Sequence, residues 1–104
     1  MAESGLNELR LGAKVAELLP LRRTPAGVPV AACVLMHEST QTEAGLDRNV
    51  TVELQAVAIG ELASVLAVVV PGTHLMVTGF LAAKSQRSRT PVMHLNKIEF
   101  VEGN

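Results

Sequence analysis

Along the first stretch of the chain, Leu9, Leu11, Ala13 and Val15 alternate with Arg10, Gly12, Lys14 and Ala16. A period of two predicts a strand with one buried face over 9–19, and Gly12 in its middle predicts a bend or bulge. The segment "RTPAGVPV", residues 23 to 30, then supplies a turn. Pro25 sets φ near −65° and Gly27 can take a positive φ, so the pair reads as a hairpin connection. Pro29 falls just inside the next apolar run and has no N–H for a ladder, which puts the start of that strand at a rim or edge. From Val28 to His37 the run is apolar on both faces: Val28, Val30, Ala32, Val34 and Met36 on one, Ala31, Cys33 and Leu35 on the other. A strand covered on both sides in so small a domain needs cover from beyond its own core, and a second copy of the chain is the simplest source.

Residues 37–49, "HESTQTEAGLDRN", are polar and turn-rich and predict a loop. Clean alternation returns over 50–58, with Val50, Val52, Leu54 and Ala56 opposite Thr51, Glu53 and Gln55, the pattern of a half-exposed strand. Over 60–70, Leu62, Val65, Leu66 and Val69 have helical spacing and Pro71-Gly72 follows as a stop signal. The valines and the missing Ser, Thr, Asp or Asn cap make this helix short and dependent on tertiary contact. Strand character resumes over 73–83 with Gly79 as a second bend, residues 84–91 form a polar basic loop, and 92–102 closes the chain as a last strand. There Met93 and Leu95 are out of phase with Ile98 and Phe100, which predicts a bulge near Asn96. Five glycine-bent strands, with a short helix or helical turn between strands 3 and 4, describe an all-β, five-stranded Greek-key barrel of the OB-fold type. One domain spans residues 1–104, with residues 1–5 and 103–104 as flexible tails.

Composition sharpens this picture. The 104 residues contain two aromatics, Phe80 and Phe100, and neither Trp nor Tyr, so Val, Ala and Leu do the packing and Phe80 is expected in the core. The net charge of −1 conceals an asymmetry. Residues 1–61 carry eight acids against five bases, whereas residues 62–98 carry no acid against Lys84, Arg87, Arg89 and Lys97. A polyanion responds to that local potential and not to the sum. The single cysteine, Cys33, excludes a disulfide framework and suits a reducing, cytoplasmic setting as a buried core thiol. The N-terminal "MAESGLNELRLG" lacks the features of a signal peptide, and no apolar run approaches the ~20 residues that span a bilayer. His37, His74 and His94 are scattered, without HxH or CxxC spacing, so no metal or other cofactor is expected. Nucleophile elbows and phosphate-binding loops are likewise absent from the sequence, and an enzyme is not expected.

The segments "RTPAGVPVAACVLMHES", "TEAGLDR", "VTGFLAAKSQRS" and "HLNKIEF", in that order and over residues 6 to 102, resemble the bacterial primosomal replication protein N (PriB) family. The resemblance implies a homodimer of OB-folds, related to single-stranded DNA-binding protein, that binds single-stranded DNA and contacts the PriA helicase during replication restart. Cations matching Arg22 and the basic loop contact DNA in that family.

Single-stranded nucleic acid is held by cations along its phosphates and by rings under its bases. Lys84, Arg87 and Arg89 within one loop, with Arg22 and Arg23 near the first turn, supply the first, and Arg48 and Lys14 are weaker candidates. The second is depleted: family members carry aromatics near positions 46 and 51, where this chain has Leu46 and Thr51, and Glu38 stands where a cation is found elsewhere. Weak, salt-sensitive DNA binding is the resulting expectation. The alternatives are a protein-interaction adaptor on the same fold, with little direct DNA contact, and an RNA-binding OB module.

Overall fold

The computed structural model of the chain describes residues 5–101, so all but Gly5 of the two expected tails lie outside the described residues. Its elements are β1 (Leu9–Leu18), β2 (Arg22–Arg23), β3 (Pro29–Glu43), β4 (Leu46–Ile59), α1 (Glu61–Leu66), β5 (His74–Ala83) and β6 (Pro91–Phe100). Hydrogen bonding runs in the order β1-β5-β6-β4-β3-β2, and β1 also pairs with β3, which closes the sheet into a barrel. The two residues of β2 continue the path of β1 along β3 beyond the interruption at Pro20, so the barrel has five strands as expected. The helix lies between the third and fourth of them, here β4 and β5.

Closure requires β1 to serve two neighbours. Its first half, Leu9 to Lys14, pairs with β5, and its second half, Lys14 to Leu18, pairs with β3. The register against β3 slips by one residue at Ala16, so the bulge lies there and not at Gly12, which pairs regularly with Met76. An extra residue in β1 tightens the local coil of the strand and lets it leave one partner for the other. The second slip is where the phase change in the sequence placed it: Thr78 faces Lys97, Gly79 faces Leu95, and Asn96 is the unpaired residue. Gly79 allows it, because a Cβ there would lie 3.0 Å from the Leu95 Cα and collide outright with the His94 carbonyl.

Alternation in the strands sends Ala13, Val15, Ala31, Cys33, Leu35, Ala56, Ala58, Leu75, Val77, Met93 and Leu95 into the barrel, and α1 plugs one end with Ala63 and Leu66, followed by Val69. Val65, expected on the packed face of the helix, is exposed instead. Gly60 precedes α1 with φ 85° and makes no side-chain cap, so this single turn and a half is held by burial. The core contains no aromatic ring: Phe80 is 39% exposed and Phe100 58%.

The turn at Thr24–Gly27 is closed by the Gly27 N–H donating to the Thr24 carbonyl at 2.8 Å, with Gly27 at φ 88°. Pro29 opens β3 opposite Arg23, and its carbonyl accepts from Gly60 N–H at 2.9 Å. A missing donor therefore costs nothing there.

Residues 37–49 depart from expectation. They are no loop but the outer part of a long β3–β4 hairpin, paired without a slip from Val30↔Ile59 to Glu43↔Leu46 and turned by Ala44 and Gly45 at φ 54° and 80°. Two consecutive positive φ values match the right-handed twist of a two-residue hairpin. Polar cross-strand pairs hold the arm, including Thr42 donating to Asp47 at 3.2 Å and Arg48 to Glu43 at 2.8 Å. The projecting arm carries the radius of gyration to 15.0 Å, above the ~13 Å of a compact domain this size.

Gly79→Ala should lower unfolding stability by about 3 kcal/mol, because the new methyl meets backbone that cannot rotate away. Gly12→Ala, whose Cβ finds nothing nearer than the Met76 Cε at 3.7 Å, should change it by less than about 1 kcal/mol. Urea denaturation of the two variants checks the contrast. The Cys33 thiol is pushed up to about 11 by burial, so at pH 8 only about one molecule in a thousand carries the thiolate, the reactive form. Ellman's reagent should leave the native protein unmodified for hours and react within minutes once the chain is unfolded.

Candidate nucleic-acid interface

Since β4 lies between β3 and β6 in the sheet, the outward side chains of these strands form one surface. A cleft of about 480 Å³ opens over it. Its floor is Val30, Ala32 and Val34 from β3, Gln55, Val57 and Ile59 from β4, and Val92 and His94 from β6. Cys33 borders the cleft from below and is fully buried, pointing into the barrel. Leu19 and Arg22 rise on one side where the chain passes from β1 to β2, and Lys84 rises at the start of the β5–β6 loop. Glu17 is the carboxylate among the lining residues. An apolar floor flanked by two cations suits a ligand with flat apolar parts and spaced negative charge. Ala32 and Val34, half-buried on the apolar outer face of β3, belong to this floor.

The six sequence candidates separate on this surface. Arg22 and Lys84 come together across the cleft mouth. Arg87 and Arg89 are exposed on the loop beyond Lys84 and do not line the cleft. That loop is ordered by its own hydrogen bonds: Lys84 N–H donates to the Thr90 carbonyl at 2.8 Å, and the Arg87 and Ser88 amides donate to Ser85 Oγ at 3.2 and 3.1 Å. Among the described residues, no carboxylate lies within ion-pair distance of Lys84, Arg87 or Arg89. Arg23 instead turns back on its own hairpin, donating to the Gly27 carbonyl at 3.0 Å. Arg48 lies on the arm, and its charge is matched by Glu43.

One residue of the cleft floor, His94, and its cross-strand neighbour Phe80 escaped the sequence reading. Phe80, expected in the core, stands on the outer face of β5, and its ring stacks on His94 with centroids 5.1 Å apart and planes 8° from parallel. The signal was present in the parity. Leu75, Val77 and Gly79 point inward, so Phe80 must point outward, and His94 likewise alternates with the buried Met93 and Leu95.

At the root of the arm, the His37 Nδ1–H donates to the Gly12 carbonyl at 2.6 Å, and the Ser39 hydroxyl donates to His37 Nε2 at 2.8 Å. Gln41 Nε2 adds a bond to Ser39 Oγ at 2.9 Å. Gly12 is paired on its other side with β5, so this side-chain relay takes the place of a ladder between β1 and the arm.

The chain matches, over residues 7–97, the family described as "another single-strand binding protein family". Replication restart protein PriB of Bordetella pertussis is 40% identical over 99 residues, which cover 95% of this chain and 92% of that one. PriB of Neisseria meningitidis serogroup B is 38% identical over 100 residues, covering 95% and 99%. The crystal structure of PriB from Ralstonia solanacearum superposes with a TM-score of 0.85 at 36% identity, covering 94% of this chain and all of that one. The single-stranded DNA binding protein of Thermus aquaticus, at 21% identity and a TM-score of 0.76 over 94% of this chain and 51% of that one, shares the fold. Kinship of this extent, end to end and in the same barrel, makes the chain a member of the PriB family of replication restart proteins.

Proposed function

We propose that this chain is a single-stranded DNA-binding accessory protein of the replication-restart primosome, that it grips DNA mainly through charge, and that it contacts the PriA helicase. The observation that carries this reading is the placement of Arg22 and Lys84 on opposite sides of the apolar cleft, with Arg87 and Arg89 continuing the positive track along the loop. A phosphate chain laid across the cleft mouth meets the cations in turn. Arg23 and Arg48, engaged with the Gly27 carbonyl and with Glu43, contribute less than their charge suggests.

A homodimer belongs to the same reading. The edge of β1 from Leu9 to Leu11 that does not face β5 pairs with no strand among the described residues, and an open edge of this kind is a template for a second copy. Doubling the barrel doubles the basic loops available to one strand of DNA. The cytoplasm is the compartment this role requires. Among the described residues no helix is long and apolar enough to cross a membrane.

One observation favours the second reading, an adaptor that docks a protein through the same loop. Leu46 is 73% exposed near the tip of the arm and Thr51 is exposed on its flank, so the arm offers no ring to a base. Replacing Lys84, Arg87 and Arg89 together with alanine separates the two readings. Loss of DNA binding with helicase association retained supports the first, and the opposite result supports the adaptor.

Three loop cations per protomer meet about six phosphates in a dimer, which contributes about −4 to the slope of log K against log salt for single-stranded DNA. The triple-alanine variant should flatten the slope by about that amount, as read by anisotropy titrations at several salt concentrations. A wild-type slope near zero contradicts the electrostatic grip.

A further inference from the structure

Half-exposed and in van der Waals contact with an imidazole, Phe80 is conspicuous in a chain with two aromatic residues, neither of them used by the core. An exposed phenyl ring forgoes burial that the barrel interior would have given it. The ring is also held in place. Phe80 and His94 are direct cross-strand partners in the β5–β6 ladder, next to the slip at Gly79. The following residue, Leu81, is bonded on its other edge by the Asn7 side chain, which donates to the Leu81 carbonyl at 2.7 Å and accepts from the Leu81 N–H at 3.0 Å. His94 itself forms part of the floor of the cleft that Lys84 also lines.

We infer that the Phe80–His94 pair is a nucleobase-stacking platform at the edge of the cleft, a role that rests on the DNA-binding reading above and supplies the base contact that the arm lacks. Near-parallel rings 5.1 Å apart present a ready-made column that a further flat ring can extend. The platform stands on two paired strands and not on a loop, so little ordering accompanies binding. Lys84 takes a phosphate next to the stacked base, while the valines and Ile59 of the floor accept the sugar and the neighbouring base. Stacking of this kind tolerates any base, since each has a π face.

Phe80→Leu keeps an apolar side chain of similar reach and removes the ring. Anisotropy titrations with a labelled oligothymidylate should show about five- to hundredfold weaker binding for this variant, with the salt slope unchanged. On an abasic deoxyribose-phosphate strand of the same length, wild type and variant should bind alike. The Lys84, Arg87 and Arg89 triple-alanine variant instead loses binding to both strands and flattens the slope. Wild-type affinity of Phe80→Leu for oligothymidylate, beside a crippled triple variant, overturns the platform and leaves the DNA reading standing. Failure of the wild type to bind either strand overturns both. Sedimentation and thermal melting identify a variant that has lost its dimer or its fold, and a loss traced to the dimer makes Phe80 a subunit contact and refutes the platform. Independently of any variant, upfield shifts of the Phe80 and His94 ring protons on adding oligothymidylate are expected in the wild-type NMR spectrum. Unmoved rings in a saturated complex refute the proposal.

Discussion

Barrel closure is the constraint on which everything else in this molecule rests. Five strands close into a cylinder here because β1 pairs with β5 along its first half and with β3 along its second, around the extra residue Ala16. The opposite wall makes a matching adjustment, an extra residue at Asn96 opposite a position where only a glycine fits against the His94 carbonyl. Between these two irregularities the interior is narrow, and alanine is used where larger side chains would force the strands apart: Ala13, Ala31, Ala56 and Ala58 are all buried.

The same closure builds the cleft. The parallel contact between β4 and β6 is confined to Ala56↔Met93 and Val57↔His94, and it brings the outer faces of β3, β4 and β6 into one curved surface. Gly79 has an indirect hand here. By admitting the slip in β5 and β6, it fixes which of their residues face outward beyond it, and therefore aims Phe80 and His94 at the cleft edge. A one-residue change of register would send them into the core and turn Met93 and Leu95 out to solvent. Structure and site thus depend on one backbone contact, between residue 79 of one strand and residue 94 of its neighbour.

Most of the fold was legible in the amino-acid sequence because most strands here are one-sided: β1, the inner part of β4 and β6 announce themselves by alternation, and the phase change at Asn96 shows even the bulge. The arm was not legible, for a definite reason. Projecting into solvent, it buries neither face, so Ser39 to Asn49 carries no hydrophobic alternation, and its tip uses Ala44-Gly45 in place of the Asn-Gly that signals a hairpin. Charge was visible but its availability was not. Nothing in the spacing of residues distinguishes Arg48, neutralised by Glu43, or Arg23, bonded to its own turn, from Arg22 and Lys84 at the cleft. Phe80 was hidden by the habit of assigning large apolar residues to cores, although its parity with Val77 and Gly79 argued otherwise.

Arm and cleft rest on backbone supported in different ways. The arm is braced against β1 through Gln41, Ser39, His37 and the Gly12 carbonyl, a relay in which each member polarises the next. Such bracing fixes the arm's direction, although its surface bears Thr51, Leu46 and the Arg48–Glu43 pair and no aromatic ring. The arm is thus rigid and polar, while Lys84, Arg87 and Arg89 lie on the β5–β6 loop and the stacked Phe80 and His94 rings lie on the outer face of β5 and β6. On a surface turn the long cationic side chains keep their freedom, whereas the rings, on paired strands, are held in one place. The two kinds of residue therefore differ in how much freedom their backbone leaves them.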